Sequence, residues 1–166
     1  MGINLSNPEN SAAVTDHAAN YGLHTLVKRK SADETVNNST TLQNDDDLVF
    51  ALAANEVWMV QLLLLIDSST VADIRFGWAY PSGCTIKWSG TDYYWGTTNT
   101  SAIPIQTNAV DIPGIGAGSV KGWWVAAIVI NGSTAGNLNL QWCQATAEVS
   151  DTKLLANSCL VASKVS

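Results

Sequence analysis

The stretch ADIRFGWAYPSGCTIKWS, residues 72–89, alternates with a period of two on both sides of a turn. Ile74, Phe76, Trp78 and Tyr80 fall on one face, and Asp73, Arg75, Gly77 and Ala79 on the other. Beyond Pro81-Ser82-Gly83, residues Cys84, Ile86 and Trp88 alternate with Thr85, Lys87 and Ser89. A period of two places successive side chains on opposite faces of an extended strand, and no helix presents its apolar residues that way. Proline, serine and glycine between the two runs make a turn. The reading is two strands paired antiparallel across it.

The same pattern extends outward. Trp58–Ile66 is apolar enough for a helix, but Asn55 before it and Asp67-Ser68-Ser69 after it bound a buried strand. Leu48–Ala53 and Trp123–Ile130 are further apolar runs, and Asn137–Gln144 alternates, with Leu138, Leu140 and Trp142 on one face. Two short strands near 152–156 and 159–165 flank Ala156-Asn157-Ser158. Residues 89–118 are less regular and rich in Thr, Asn and Gly. About eight strands and no helical period predict an all-β chain, a single antiparallel β-sandwich of jelly-roll type. Residues 1–26 are polar and show no period, so they read as an extended N-terminal arm, with the sandwich domain over 27–166. Trp58, Trp78, Trp88 and Trp142 sit on the apolar sides of their strands and are expected in the core.

Of the 166 residues only 13% are charged, against roughly 25% in a typical soluble domain. So few charges imply that part of the surface meets other protein. The net charge of −6 argues against nucleic acid as a partner, since phosphate binding needs a basic face. The basic cluster Lys28-Arg29-Lys30 is short, is followed by Asp33 and Glu34, and reads as a solvated or interface patch. Cys84, Cys143 and Cys159 are odd in number and form no CxxC, and with two histidines a zinc site has no support. They read as reduced thiols of a chain made in a cytoplasm. No leader of the charged-then-apolar kind opens the sequence, and the longest apolar run, Val57–Ile66, is too short to span a bilayer.

No constellation carries catalysis. Gly114-Ile115-Gly116-Ala117-Gly118 lacks the lysine and hydroxyl residue of a phosphate loop and reads as a flexible loop. His17 and His24 have no Gly-x-Ser-x-Gly serine to serve. Asp45-Asp46-Asp47 has carboxylates that hard cations favour, but consecutive residues of an extended chain point alternately, and a charged edge that discourages strand pairing is the simpler role. No catalytic, cofactor-binding or metal-binding residue is therefore expected. The aromatic cluster Tyr93-Tyr94-Trp95 lies in a polar stretch, where such side chains more often meet a partner than a core. Ile3 and Leu5 are apolar side chains of the arm that can dock on a neighbour. The candidate interface residues are thus Ile3, Leu5, Lys28, Arg29, Lys30, Tyr93, Tyr94 and Trp95.

Three stretches carry a family resemblance: KSADETVNNSTTLQNDDDLVFALAANEVW (30–58), ADIRFGWAYPSG (72–83) and NGSTAGNLNLQWCQATAEVSDTKLLANSCLVASKV (131–165). In these the chain resembles small jelly-roll-type structural proteins of tailed phages, found as capsid decoration proteins and at fibre tips. The resemblance implies a sandwich on the virion surface, usually a homotrimer, with no enzyme activity and no cofactor. Its expected partners are itself and the major capsid protein or another virion protein, with neither nucleic acid nor membrane. A capsid decoration (cement) protein is the expected function, because the chain is one short domain without fibrous repeats. The alternative is a fibre-tip or head-fibre module that recognises host-surface glycan. The cysteine reading is directly testable: thiol titration under denaturing conditions should count three free thiols, and a count of one would show a disulfide.

Overall fold

The computed structural model describes residues 25–93 and 105–166, and these form an all-β sandwich of two antiparallel sheets. The strands, in chain order, are β1 (Thr25–Arg29), β2 (Glu34–Val36), β3 (Gln43–Leu52), β4 (Val57–Asp67), β5 (Ile74–Ala79), β6 (Thr85–Tyr93), β7 (Val110–Ile112), β8 (Val120–Ile130), β9 (Gly136–Gln144), β10 (Thr152–Leu154) and β11 (Cys159–Lys164). These eleven strands exceed the eight or so expected, because β1, β2 and β7 are short and lack a clear alternation of their own. β1 runs from Thr25, the first described residue, and Leu26 packs against the core.

One sheet has seven strands. Its backbone is the run β1-β11-β4-β8-β6, with β10 pairing the far end of β4 and β2 pairing β10. The other sheet has four strands in the order β3-β9-β5-β7. From β2 to β10 the chain changes sheet at every connection. That corrects the expected pairing across Pro81-Ser82-Gly83. β5 pairs with β9 and β7 in the small sheet, whereas β6 pairs with β8 in the large one. The turn carries the chain over the edge of the core, and Gly83 takes a positive φ of 80° there. The two alternating faces were read correctly. They meet across the sandwich rather than side by side in one sheet.

The core holds the inward rows of both sheets, including Leu62, Leu64, Phe76, Trp123, Leu140 and Trp142. Its centre is aromatic. Phe76 stacks on Trp123 at 5.0 Å, Trp123 meets Trp88 edge-on at 5.9 Å, and Trp88 meets Trp78 edge-on at 6.4 Å. Among the described residues the indole N–H groups of Trp88, Trp123 and Trp142 find no acceptor. Each such orphan costs about 1–3 kcal/mol. Burying an indole of about 200 Å² contributes about 5 kcal/mol at 25 cal/mol per Å², so the burial wins. Trp58, Trp88 and Trp142 are buried as expected, and Trp78 is half-buried at the end of the aromatic row.

Gly90 of β6 faces inward under the Trp123 ring, and a side chain there would lie inside the indole. The glycine-rich loop after β7 is tied down rather than free. Gly114 N–H donates to Asp73 Oδ1 (2.8 Å), Gly116 N–H to the Ser68 carbonyl (3.1 Å) and Gly118 N–H to Asp67 Oδ1 (2.8 Å). Trp142→Ala should lower stability by about 3–5 kcal/mol, the cost of a large core cavity, and Trp78→Ala by less. Urea midpoints at unchanged slope are the measurement. Gly90→Ala should destabilise by about 1–3 kcal/mol through overpacking.

Candidate interaction surface

Strand alternation divides the basic cluster. Lys28 turns toward the inner side of the edge strand β1 and is half-buried, while Arg29 is exposed on the outer side and donates to Asn157 Oδ1 at 2.5 Å. Lys30, expected on the surface, is fully buried just beyond β1. Its Nζ donates to Asp45 at 2.7 Å and to Glu34 at 2.6 Å, and the Asp45 side chain is equally buried. The cluster therefore presents no continuous basic patch. Lys30 is held in place by its backbone, which donates to the Ser158 carbonyl and accepts from Asn157.

Asp45 takes a role that a solvated edge charge would not. Its Oδ1 accepts from the backbone N–H of Asp47 (3.0 Å) and Leu48 (2.8 Å), where the pairing of β3 with β9 shifts register. Glu34 accepts from the Asp46 N–H, and Asp47 accepts from the Ser31 N–H. The three aspartates thus organise a bulge on the edge strand of the small sheet, and Lys30 sits on Asp45. Burial opposes the charge on Lys30, but its bonds to Asp45 and Glu34 outweigh burial and raise its pKa above the ordinary lysine value.

Ile3, Leu5, Tyr94 and Trp95 lie outside the described residues, as do His17 and His24. Tyr93 ends β6, where its backbone pairs with Gly122. Among the described residues no three His, Cys, Asp or Glu side chains converge to hold a metal ion. Burial pushes the Cys84 and Cys143 thiols above the usual range, which makes them poor nucleophiles. Cys159 is half-buried on the outer side of β11 rather than in the core.

A large surface feature lies elsewhere, on the outer face of the seven-stranded sheet. Registered across β1, β11, β4, β8 and β6, its middle row is Val27, Val161, Gln61, Ala126 and Ser89. One row to one side brings together Met59, Ile128 and Lys87, and one row to the other brings Cys159, Leu63 and Trp124. Val57 and Ile130 extend the face at one end, and Leu65 and Gly122 at the other. Val27, Met59, Trp124 and Ile130 are 63%, 47%, 39% and 47% exposed. Ile105, beyond the strands, closes an apolar hollow with Met59, Ala126 and Ile128. The outer face of the small sheet is different in kind. It carries Asn139 and Gln141 of β9, the latter bonded to Asn44 at 2.9 Å, and an Arg75–Asp111 ion pair at 2.6 Å.

The sequence carried a signal for this surface. Val57–Ile66 and Trp123–Ile130 are apolar without alternation, the mark of strands covered on both faces. Their inner residues meet the small sheet, and on their outer side Ile105 closes the hollow beside Met59, Ala126 and Ile128.

No protein-family model and no curated protein matches the chain. Among solved structures it is similar to the infectious bursal disease virus VP2 subviral particle, with 7% identity and a TM-score of 0.22. It is also similar to a structure of the Gt strain of that virus, with 9% identity and a TM-score of 0.23. In each case 86% of this chain is covered, and it spans 40% of the length of the other chain. Scores this low carry no argument about function.

The buried charges give a separate test. Lys30→Ala leaves the Asp45 carboxylate buried without its cation and should cost about 3–5 kcal/mol. Lys30→Met combined with Asp45→Asn removes both charges, keeps the amide oxygen for the Asp47 and Leu48 N–H groups, and should recover much of the loss. Because the folded-state pKa of Lys30 is raised, its contribution is intact at neutral pH and is lost as pH rises through that value, above about 10.4. Denaturant midpoints of the parent and Lys30→Met at pH 7 and in the alkaline range check the sign.

Proposed function

We propose that this chain is a non-enzymatic structural protein of a virion, and most specifically a capsid decoration protein on the head of a tailed phage. The observation that carries the reading is the apolar outer face of the seven-stranded sheet, on a chain with only 13% charged residues. Such a face suits a protein that works by contact area. A decoration protein binds an assembled shell, bridges neighbouring capsomers and resists internal pressure, with each copy burying an interface of about 1,600 Å² in total.

The partners in this reading are further copies of the chain, three by the resemblance, and the major capsid protein or another virion protein. The arm residues Ile3 and Leu5, with Arg29 at the start of the sandwich, are the proposed reach toward the shell. The runner-up is a fibre-tip module that binds glycan. It is favoured by a hollow on the small sheet where Trp78 and Tyr80 stand beside Asn108 and Gln141, a mixture of aromatic and amide side chains that suits a sugar.

Antibody raised against the purified chain, applied to intact particles from its source and viewed by immunogold electron microscopy, tests both. Gold over the heads is the expected result. Gold at tail or fibre tips selects the glycan module, and particles free of gold overturn the virion reading.

A further inference from the structure

The outer face of the seven-stranded sheet is apolar and nearly uncharged, and its few polar groups are arranged in a particular way. Gln61 stands at the centre, in the middle row of the middle strand. Its side-chain amide has no hydrogen-bond partner among the described residues. Across the five rows from Val57 to Leu65 the charged side chains are Lys87 and Arg29, at diagonally opposite corners on the two edge strands. We infer that this face packs against the same face of a second copy, about a two-fold axis lying in the interface.

Three features select a second copy as the occupant. The first is self-complementarity. A two-fold contact brings the central residue of one copy opposite the central residue of the other. An amide carries both donor and acceptor, so two Gln61 side chains satisfy each other, as two lysines or two carboxylates would not.

The second is charge. With the axis along the strands, Lys87 lies opposite the partner copy's Thr25 and Arg29 opposite its Thr91. With the axis across the strands, those two pairings exchange. In neither arrangement do like charges meet, although the face carries only cations.

The third is area. On this face β4, β8 and β6 span nine residues each, and β11 and β1 six and five, so at about 4.8 Å spacing and about 3.4 Å rise the plane is roughly 600 Å². Side-chain relief raises the accessible area above the plane, so each copy approaches the roughly 800 Å² per partner of a standard interface. Two twisted sheets of this size pack face to face at a spacing of about 10 Å. The polar face of the small sheet does not offer the apolar area, and its Gln141 amide is already bonded to Asn44.

This inference rests on the reading of the chain as a self-associating protein, and not on which particle it serves. It requires an even number of chains: two, or six where a three-fold contact elsewhere joins three such pairs. The full chain at micromolar concentration is measured by sedimentation equilibrium, alongside Met59→Lys combined with Ile128→Lys. The expected result is an even assembly for the parent and half that mass for the double variant, with melting temperatures within a few degrees. A monomer, whatever else then covers the face, or a plain trimer overturns the inference, and a trimer leaves the virion reading standing.

If the double variant fails to fold, a second test decides. Gln61→Cys is made in a Cys159→Ser background, with Asn139→Cys on the small sheet as control. Because sheets about 10 Å apart are too far for a direct disulfide, a short bis-maleimide is the probe, and it should link the Gln61→Cys chain into a dimer within minutes and leave the control unlinked. Equal cross-linking of the two, or of neither, overturns the pairing. A self-associated pair on a chain that immunogold does not find in particles would sink the virion reading and keep this one.

Discussion

The aromatic row Phe76–Trp123–Trp88–Trp78 is the interaction on which the rest of the sandwich depends. Phe76 and Trp78 come from β5 of the small sheet, and Trp123 and Trp88 from β8 and β6 of the large one. Two ring contacts, Phe76–Trp123 and Trp78–Trp88, therefore fasten the two layers together, and the third, Trp88–Trp123, joins β6 to β8 within the large sheet. The row dictates its own surroundings. Gly90 has no side chain because Trp123 fills that space, and the indole N–H groups go without acceptors because ring burial outweighs the loss.

Around this row the chain solves its edges locally. The edge strand β3 bends at a bulge set by Asp45, and Lys30 closes over that carboxylate from the far side of β1. A buried ion pair of this kind is weak as a source of net stability but strict about geometry. It fixes where β1, β2 and β3 lie relative to one another. The Ser158 and Asn157 backbone bonds to Lys30 tie β11 into the same corner.

The two sheets then diverge in what they show to the outside. The small sheet presents amides and an ion pair, as a strand surface in water does. The large sheet presents Val27, Met59, Leu63, Trp124 and Ile128. That asymmetry is the main functional statement of the fold. It gives the low charge content of the chain a location, and it moves attention from the basic cluster to a sheet face. Lys28 and Arg29 take opposite sides because consecutive side chains of a strand alternate, and Lys30, just beyond the strand, is buried on Asp45.

The sequence by itself determined everything that depends on alternation. Residues 72–89 and 137–144 gave the strand type and most of their inward residues, because period two is a property of a few neighbouring side chains, and the apolar runs at 57–66 and 123–130 read as strands from their length and their flanking residues. It also contained the doubly apolar runs of β4 and β8, whose outward residues make the apolar face. What only the tertiary structure decided is who pairs with whom. Since the chain changes sheet at every connection from β2 to β10, each strand finds its partners far away in sequence, and the turn at Pro81-Ser82-Gly83 joins two layers instead of two neighbours. The burial of Lys30 depends on Asp45 arriving from a different sheet, and the apolar face exists only once β1, β11, β4, β8 and β6 are set side by side. Local pattern sets which way a side chain points. Long-range pairing sets what it points at.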